Sequence, residues 1–374
     1  MNQEVYEKFL EQDVAPALTH ALNNLEADFQ KHKKELKQEY IRSFQDALRT
    51  ISKIRNEKES KTGFLTSHLL RTRILNHHYS YPILSYDKEW YASQGICAGE
   101  MDVSYLYKHY EALWQELLRE SRKYIQQFSE PDIESVMLKI LDPFHKYVVE
   151  LMRYSLLDFL ETEEYQSLSK EDRFEIQSGE YFEPCDLIHM ELTEKDKLQI
   201  ENMIQKSNDQ SCCFQDFKNI DLSGLVTTGK DLRYTDFRNC HLDQITFTCS
   251  LLMGTKFKNS SMKQANLMAS MIHDACFDHA DLTNANLQYC VAFTGKNKAN
   301  AWKDTGFTGV SFQNSILHQA DFTGATILGG DFSGSDLTGA VFEDAVLYRS
   351  RFQKYQLNQC HFSSEQLEQM EPIP

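Results

Sequence analysis

The feature of this sequence that most constrains its fold is a run of large apolar residues at intervals of five. With few exceptions the interval is kept from Phe217 to Leu367, and it is weakest between Val291 and Ala301. A period of five fits neither the 3.6-residue repeat of an amphipathic helix nor the two-residue alternation of a single strand. It therefore predicts short extended pieces that are separated by regular corners.

The positions around each large residue also repeat. The residue two positions earlier is mostly small, and Asp or Asn often lies between the two, as at Asp281, Asn286, Asp321, Asp331 and Asp336. Strand alternation sends the large and the small residue to the same side. One such unit cannot bury its large side chain alone, whereas a stack of them can. The tract from Cys212 onward is therefore predicted to be a solenoid.

The segments "ADLTN" at Ala280, "ANLQY" at Ala285 and "ADFTG" at Ala320 resemble the pentapeptide-repeat family. The resemblance covers Cys212 to about Leu367. It implies a right-handed, four-sided β-helix of roughly eight coils, about 38 Å long at ~4.8 Å per layer. Residues twenty apart should then stack, which predicts interior ladders of Phe217, Phe237, Phe257 and Phe277 and of Phe322, Phe342 and Phe362. The alternation of Phe and Leu from Phe312 onward places aromatic ladders on two opposite walls.

The repeat has one defect, which carries three lysines. The stretch "AFTGKNKANAWKDTG" contains Lys296, Lys298 and Lys303, and the five-residue phase resumes at Trp302. Either one coil is degenerate there or a short loop leaves the column. Loops on rigid scaffolds often carry function, so these lysines are candidate interaction residues.

Residues 1–206 follow a helical pattern instead. Apolar residues recur at helical spacing from Leu18 to Ile54, which predicts one long, coiled-coil-like helix, and again from Leu106 to Phe128. Pro131 and Pro143 mark further helix starts, and Thr193 is a candidate N-cap for a helix over 194–204. The predicted fold class is thus α plus β solenoid. It has an α-helical bundle over 1–206, a linker over 207–211 and the repeat over 212–374.

The segment 63–102 is rich in aromatic and β-branched residues and predicts a small β-hairpin. Trp90 and Tyr91 within it form either an interaction patch or the apolar plug of the bundle, with the plug favoured. His77 and His78 are adjacent but lack nominated metal partners, so a structural or surface role is expected.

The sequence offers no motif for an enzyme and none for a cofactor. It lacks phosphate-binding, dinucleotide-binding, zinc-protease and serine-hydrolase signatures. The nine cysteines show no paired metal-ligand spacing, so reduced, packed thiols are expected. No apolar run is long enough to span a membrane and the N-terminus does not read as a signal peptide. These features predict a non-enzymatic protein of the cytoplasm that needs neither metal nor cofactor.

Two functions remain, and both involve a protein partner. The favoured one is an interaction scaffold or adaptor that uses the column and the helical half. The alternative, implied by the family resemblance, is a DNA mimic that binds a topoisomerase (gyrase) and protects it from inhibitors such as quinolones. Its contacts would be the outward carboxylates Asp281, Asp321, Asp331, Asp336 and Asp344, with Lys296, Lys298 and Lys303 as additional contacts.

The charge distribution weakens mimicry. Residues 212–374 hold 17 acidic and 13 basic residues, a net charge of −4, while residues 1–211 hold 38 and 26, a net of −12. A DNA duplex carries about one phosphate charge per 1.7 Å of axis, far more than this column. The acidic balance of both halves also argues against direct nucleic-acid binding. A homodimer could form through the long helix or through the C-terminal end, where Ser363 predicts a short capping helix.

Overall fold

A computed structural model describes residues 3–125, 127–194, 196–206, 212–295 and 305–373. The chain forms two compact units, of which the first extends to Met190 and the second begins at Glu191. Within the described ranges, no helix combines the length and the apolar character that crossing a bilayer requires. The N-terminal half is largely helical, and the C-terminal half is a β-helix-like repeat, as the sequence predicts.

The first unit combines helices with one sheet. Its helices are α1 (Gln3–Phe9), α2 (Ala15–Glu57), α3 (Arg71–Leu75), α4 (Ser104–Ser121), α5 (Glu130–Lys139), α6 (Asp142–Leu160) and α7 (Glu163–Gln166), with a π-helical turn at Leu10–Val14 and 3-10 turns at Trp90–Ala92 and Arg122–Tyr124. Its strands are β1 (Thr62–Leu69), β2 (Ser80–Tyr86), β3 (Ile96–Asp102), β4 (Lys170–Glu180) and β5 (Cys185–Leu192).

The long helix α2 exists as predicted, but it is not a protruding arm. It starts with Pro16 in its first turn and runs for 43 residues, about 65 Å at 1.5 Å per residue. Its apolar stripe lies in the core of the first unit, where Phe29, Phe44 and Ile51 are each 0% exposed. The prediction of a coiled-coil-like helix is therefore corrected: the stripe is already covered by the unit's own side chains.

The predicted hairpin is part of a larger sheet. The strand order is β3-β2-β1-β4-β5, in which β1 and β2 are antiparallel, β2 and β3 are antiparallel, and β1 and β4 are parallel. Phe64 pairs with Tyr86 and His68 pairs with Gly179. The hairpin prediction was too small because β1 is a central strand whose second neighbour lies about a hundred residues further along the chain.

Helices cover one face of this sheet. On that face the Ser67 hydroxyl donates to Met152 Sδ of α6 and lies 2.9 Å from Ser178 Oγ of β4. Further out, the rings of Phe44 and Phe159 meet edge to face at 5.6 Å, which joins α2 to α6. The opposite face of the sheet carries Phe64 and His68, and it is this face that positions the candidate site described below.

The helix before the repeat, α8 (Lys197–Lys206), differs from its prediction in two ways. The Asp196 side chain accepts hydrogen bonds from the backbone N–H groups of Leu198 and Gln199, so Asp196 and not Thr193 caps the helix. Ile200 and Ile204 are buried in the same apolar cluster as Phe217, within the second unit. The sequence had grouped this helix with the first domain. The predicted linker 207–211 lies outside the described residues. The predicted domain bounds remain a prediction.

The repeat column, residues 212–295 and 305–353, is held together by short parallel bridges. Its strands are β6 (Val226–Thr228), β7 (Thr246–Thr248), β8 (Val291–Ala292), β9 (Thr326–Ile327) and β10 (Arg351–Gln353). Most of its coils are joined by single bridges between residues twenty apart, such as Asp216 with Asp236 and Leu251 with Met271. We call each set of pentads that stack in this way a wall.

The large side chains stack inside the column as predicted. Phe237 and Phe257 lie 5.4 Å apart, and Phe322 and Phe342 lie 4.8 Å apart, with nearly parallel rings. One step of these ladders is longer than twenty residues. Phe277 stacks on Phe312 at 4.8 Å, although the two are thirty-five positions apart. The bridge from Cys276 to Ser311 has the same separation, so fifteen extra residues lie between Val291 and Ser311.

The C-terminal end closes the column with α9 (Ser364–Gln369) and β11 (Glu371–Ile373). Ser363 caps α9 as predicted, accepting a hydrogen bond from Gln366 N at 3.2 Å. The apolar register, however, ends earlier than Leu367, which is 45% exposed. The buried side-chain amide of Gln366 donates to the carbonyl oxygens of Phe342 and Ala345. It supplies the donors that a further coil would otherwise provide to these carbonyl groups.

Candidate functional site

The most distinctive surface of the first unit is an aromatic patch on the sheet face opposite the helices. It consists of Phe64, His68, Tyr86, Trp90, Tyr91, Tyr181 and Phe182. Four segments build it: β1, the end of β2, the 3-10 turn that follows β2, and the turn between β4 and β5. The patch therefore depends on strand pairing between parts of the chain about a hundred residues apart.

The rings of the patch pack directly against one another. Tyr91 meets Tyr86 edge to face at 5.2 Å and contacts Phe182 at 4.8 Å. Tyr181 and Phe182 meet edge to face at 4.3 Å, and Tyr181 contacts the His68 ring at 5.2 Å. Such pairs stabilise by about 0.5–1.5 kcal/mol each beyond the burial of their area. The patch is thus a rigid surface rather than a set of loose side chains.

Two of its residues have an unfavourable backbone conformation. Trp90 has φ of 53° and Phe182 has φ of 66°, in the left-handed region that bulky residues seldom adopt. Residues held in this way cost on the order of 1–3 kcal/mol and cluster at functional sites. Here the strained conformation directs both rings into the same patch.

The patch is buried at its base and open at its rim. His68 is 0% exposed, Trp90 and Tyr91 are half-buried, and Phe182 is 66% exposed. The sequence nominated Trp90 and Tyr91 but missed Tyr181 and Phe182. Their signal was present in "GEYFEPC" at Gly179, where two adjacent aromatic residues precede a Glu-Pro turn.

The electrostatics of the patch suit docking more than catalysis. Burial lowers the pKa of His68 to about 4, so the ring is neutral at physiological pH. Burial raises the pKa of Tyr91 to about 12 and that of the neighbouring Cys185 to about 11. Cys185 is therefore held as a thiol, which is a poor nucleophile. Charged groups lie at the exposed edge, where Glu89 precedes Trp90 and Glu183 follows Phe182.

The carboxylates nominated on the column serve the repeat itself. Asp281, Asp321, Asp331 and Asp336 each accept a hydrogen bond from the backbone N–H two residues later. Asp331 is 9% exposed and also accepts from Arg351 and Gln313. These side chains therefore hold the corners of the coils. Asp344 differs, since it is exposed at a corner with φ of 55°.

Hydrogen bonds also account for the lowered pKa values of two of these corner carboxylates. Burial raises the pKa of Asp281, but hydrogen bonds from Thr283 and the nearby Lys263 outweigh it and leave the pKa below its usual value. At Asp336 the Thr338 hydroxyl is the main cause of a lowered pKa, with a further contribution from His318. Both carboxylates are ionised at neutral pH while they are bonded within the column.

Three nominated residues lie outside the described ranges: Lys296, Lys298 and Lys303. The described residues on either side of them contact one another and the column. Gly295 N donates to Phe307 O at 2.7 Å in an antiparallel bridge. The ring of Phe307 stacks on buried His273 at 4.2 Å. Asp274 accepts hydrogen bonds from Gly309 N and the Thr308 hydroxyl. In the described residues, Cys276 therefore bridges directly to Ser311, and the fifteen extra residues add no bridged coil between them.

The adjacent histidines His77 and His78 have side-chain partners within the first unit. His77 Nδ1 lies 2.7 Å from Glu111, and His78 lies 3.1 Å from the Ser80 hydroxyl. Among the described residues, no group of three or more His, Cys, Asp or Glu side chains could hold a metal ion. The nine cysteines all lie within the described ranges; none of them forms a disulfide, and four are buried.

A family model for pentapeptide repeats matches residues 250–288, 304–339 and 331–363, in eight copies. The N-terminal half has no family match. None of the curated protein sequences compared with the chain matches it.

Several solved structures resemble part of the chain. Rfr23, a pentapeptide repeat protein from the cyanobacterium Cyanothece 51142, is 14% identical over 37% of this chain and 88% of its own, with a TM-score of 0.21. Full-length QnrB1, a plasmid-mediated fluoroquinolone resistance protein, is 15% identical over 42% and 93%, with a TM-score of 0.19. A pentapeptide repeat protein from the Arabidopsis thaliana thylakoid lumen is 28% identical over 34% and 68%, with a TM-score of 0.11.

The matches of the family model lie in the part of the chain in which the five-residue period, the parallel bridges and the phenylalanine ladders coincide. Residues 250–288 and 304–363 are therefore pentapeptide repeats.

Proposed function

We propose that the protein is a non-catalytic interaction scaffold or adaptor, in which the first unit binds a protein partner through the aromatic patch. The observation that carries this proposal is Phe182, a 66% exposed aromatic residue at φ of 66°. Exposed aromatic side chains on a rigid base, with charged residues at the edge, are typical of the centre of a protein interface.

In this proposal the column is a rigid spacer. We take it to be a right-handed, four-sided β-helix of roughly eight coils, in which each coil contacts only its neighbours.

Nine cysteines without a disulfide agree with a reducing compartment, and we place the protein in the cytoplasm. The neutral thiol of Cys185 and the bonded column carboxylates supply no activated group, which supports a role without catalysis.

The alternative of a DNA mimic that binds a topoisomerase receives less support. Mimicry needs carboxylates that are available to a partner, whereas Asp281, Asp321 and Asp336 are bonded to the backbone of their own corners. The two proposals differ in a gyrase supercoiling assay, with and without a quinolone. An adaptor should leave supercoiling unchanged, whereas a mimic should inhibit gyrase or protect it from the drug.

The variant Phe182→Gly tests the proposed patch. Glycine removes the ring contacts with Tyr91 and Tyr181 but relieves the left-handed strain, so the two effects offset and stability should stay close to that of the wild type. Partner binding should nevertheless weaken by about 2 kcal/mol, or roughly thirtyfold, because a central aromatic contact is lost. The measurement is quantitative affinity capture from the native host with full-length protein, together with thermal unfolding.

Tyr355→Ser is the matched control, because Tyr355 is an exposed aromatic residue of the second unit at 54% exposure. It should not change the captured partner. If Phe182→Gly retains full binding while Tyr355→Ser loses it, the aromatic patch is not the binding surface and the proposal fails.

A further inference from the structure

The column residue His273 contacts the chain on both sides of the segment that interrupts the repeat. We call residues 293–295 the first stem and residues 306–309 the second stem, and the structure describes both. The stems are paired with each other, because Gly295 N donates to Phe307 O at 2.7 Å in an antiparallel bridge. His273 is 2% exposed, and its ring packs on one ring from each stem.

The first stem is bound to the histidine ring by a hydrogen bond. Phe293 N lies 2.9 Å from His273 Nδ1. A backbone N–H can only donate, so Nδ1 must have a free lone pair, and the proton of the neutral ring is assigned to Nε2. This hydrogen bond therefore exists only while His273 is neutral.

The second stem is held by the face of the same ring and by the next residue of the column. The Phe307 ring stacks on the His273 ring at 4.2 Å with an interplanar angle of 6°. Asp274 accepts hydrogen bonds from Gly309 N at 2.7 Å and from the Thr308 hydroxyl at 3.0 Å. Two consecutive column residues thus hold both stems, and of these two the histidine is the type that titrates near neutral pH.

The surroundings of His273 oppose a positive charge. The rings packed on it belong to Phe293 and Phe307, and the same outward position one rung earlier is Met253. The charged group next to it along the chain is Asp274, whose carboxylate is bonded to the second stem. Burial accordingly lowers the pKa of His273 to about 4.

Protonation of His273 would reverse the contact with the first stem. Nδ1 would then carry a proton and face the Phe293 N–H, so the hydrogen bond would be lost and two donors would oppose each other. The faces of Phe293 and Phe307 attract a cation, but the lowered pKa indicates that this attraction is outweighed.

We propose that His273 is a pH-sensitive clamp, which holds both stems on the column while its ring is neutral and releases them when the ring is protonated. The clamp is independent of the adaptor function proposed above, because it concerns the conformation of the column and involves no partner.

The direction of the pH dependence follows from linkage. The pKa of His273 is about 4 with the stems docked, against 6.5 for a free ring. The docked state is therefore fully favoured above about pH 6.5 and loses stability as the pH falls toward 4. Between pH 7 and pH 5 the ratio of docked to released stems should fall by about twentyfold.

Hydrogen exchange of the full-length protein at pH 7 and pH 5 measures this release. Exchange is read by mass spectrometry, resolved to single amides and corrected for the intrinsic rate. Protection of the Phe293, Gly295 and Gly309 amides should fall by about twentyfold. The Phe257 amide, which donates to Cys276 O within the column, should keep its protection. An equal fall at Phe257 would show unfolding of the column instead of release of the stems and would overturn the proposal.

His273→Asn removes the titration and keeps an acceptor. The asparagine side-chain oxygen replaces Nδ1 and accepts the Phe293 N–H at either pH. Protection of the stems should be lower than in the wild type, because the stack on Phe307 is lost, but equal at pH 7 and pH 5. A twentyfold fall in this variant would contradict the clamp.

His318→Asn is the matched control. His318 is another histidine of the column, and its Nε2 lies 2.6 Å from Asp336 and not beside the stems. The wild-type fall of about twentyfold should persist in this variant. Loss of the pH dependence in His318→Asn, or an unchanged protection of the stems between pH 7 and pH 5 in the wild type, would refute the assignment to His273. The wild-type comparison decides the matter even where His273→Asn does not fold.

Discussion

The two units bury their side chains by different means. In the first unit, contacts join distant parts of the chain: Phe44 packs on Phe159, and Ser67 lies 2.9 Å from Ser178. In the column, Phe237 packs on Phe257, and the same step of twenty residues recurs from coil to coil. The first unit is thus one connected core, whereas the column is a series of similar layers.

This difference determines how each unit should respond to damage. A globular core of this size usually unfolds as a whole, so a lesion anywhere weakens all of it. A solenoid is stabilised mainly by contacts between neighbouring layers, so a lesion should act locally and a whole layer can be removed without disturbing the others. The four predictions below test that contrast, from the largest expected effect to the smallest.

The first prediction concerns the fifteen extra residues between Val291 and Ser311. Deleting Thr294 to Thr308 removes the fifteen extra residues and joins Phe293 to Gly309, which restores a separation of twenty between Cys276 and Ser311. The column should stay folded, with a thermal midpoint within about 5 °C of the wild type. A deletion that is one residue shorter, Thr294 to Phe307, turns every later side chain out of register and should destroy the coils beyond it.

Circular dichroism and thermal unfolding of the two deletion proteins provide the measurement. The only intended difference between them is the phase of the repeat. If both unfold, or if both remain folded, the column does not behave as a stack of interchangeable layers.

The second prediction compares one buried phenylalanine from each unit. Phe332→Ala and Phe44→Ala each remove a ring that is 0% exposed and should each cost about 3–5 kcal/mol. The loss of hydrogen-exchange protection should be confined to the coils next to Phe332 in the column. In the first unit it should extend over the sheet and the helices. Uniform loss over the whole column in Phe332→Ala would contradict the layered model.

The third prediction concerns the end of the column. Gln356 is 0% exposed, and its amide donates to the carbonyl oxygens of Phe332 and Ser335. Gln356→Ala removes the donor of the buried Ser335 carbonyl, whereas Phe332 O keeps the Ser335 N–H, and should reduce the free energy of unfolding by about 1–3 kcal/mol. Denaturant unfolding measures the change. Glu368→Ala, at an exposed position of α9, is the control and should be close to neutral.

The fourth prediction is a pH dependence of the column. The pKa of Asp336 is lowered, first by the Thr338 hydroxyl, from the value of 3.8 expected for a free carboxyl. A lowered pKa in the folded state stabilises the column above the unfolded pKa, and this stabilisation is lost as the pH falls through the folded pKa. The thermal midpoint should therefore fall as the pH is lowered below about 4. Asp336→Asn should reduce this dependence, and Thr338→Val should remove part of it. An unchanged pH profile in both variants would show that this corner does not contribute.

Much of the column could be predicted from the sequence because its contacts repeat at a constant short interval. The stacks of Phe237 on Phe257 and of Phe322 on Phe342 follow directly from that interval. The stack of Phe277 on Phe312 did not, because fifteen inserted residues preserve the five-residue phase while they change the wall on which each later residue lies. A period of five cannot show how many whole pentads are inserted between two bridged coils.

The aromatic patch could be predicted only in part. Trp90 and Tyr91 stood out because the segment around them is dense in aromatic residues. Tyr181 and Phe182 did not, because they reach the patch only through the parallel pairing of β1 with β4. The same pairing explains why the predicted hairpin became a five-stranded sheet.

The sequence by itself determined the repeat, its interior ladders, the helical character of the first half and the capping helix at Ser363. The physical reason is that each depends on interactions between residues close in sequence or separated by a regular interval. Only the tertiary structure decided that the stripe of α2 is buried, that Phe182 lies beside Tyr91, and that the corner carboxylates are already bonded. These features depend on which distant segments pair and on which side chains the folded chain leaves uncovered, and a local pattern carries no information about either.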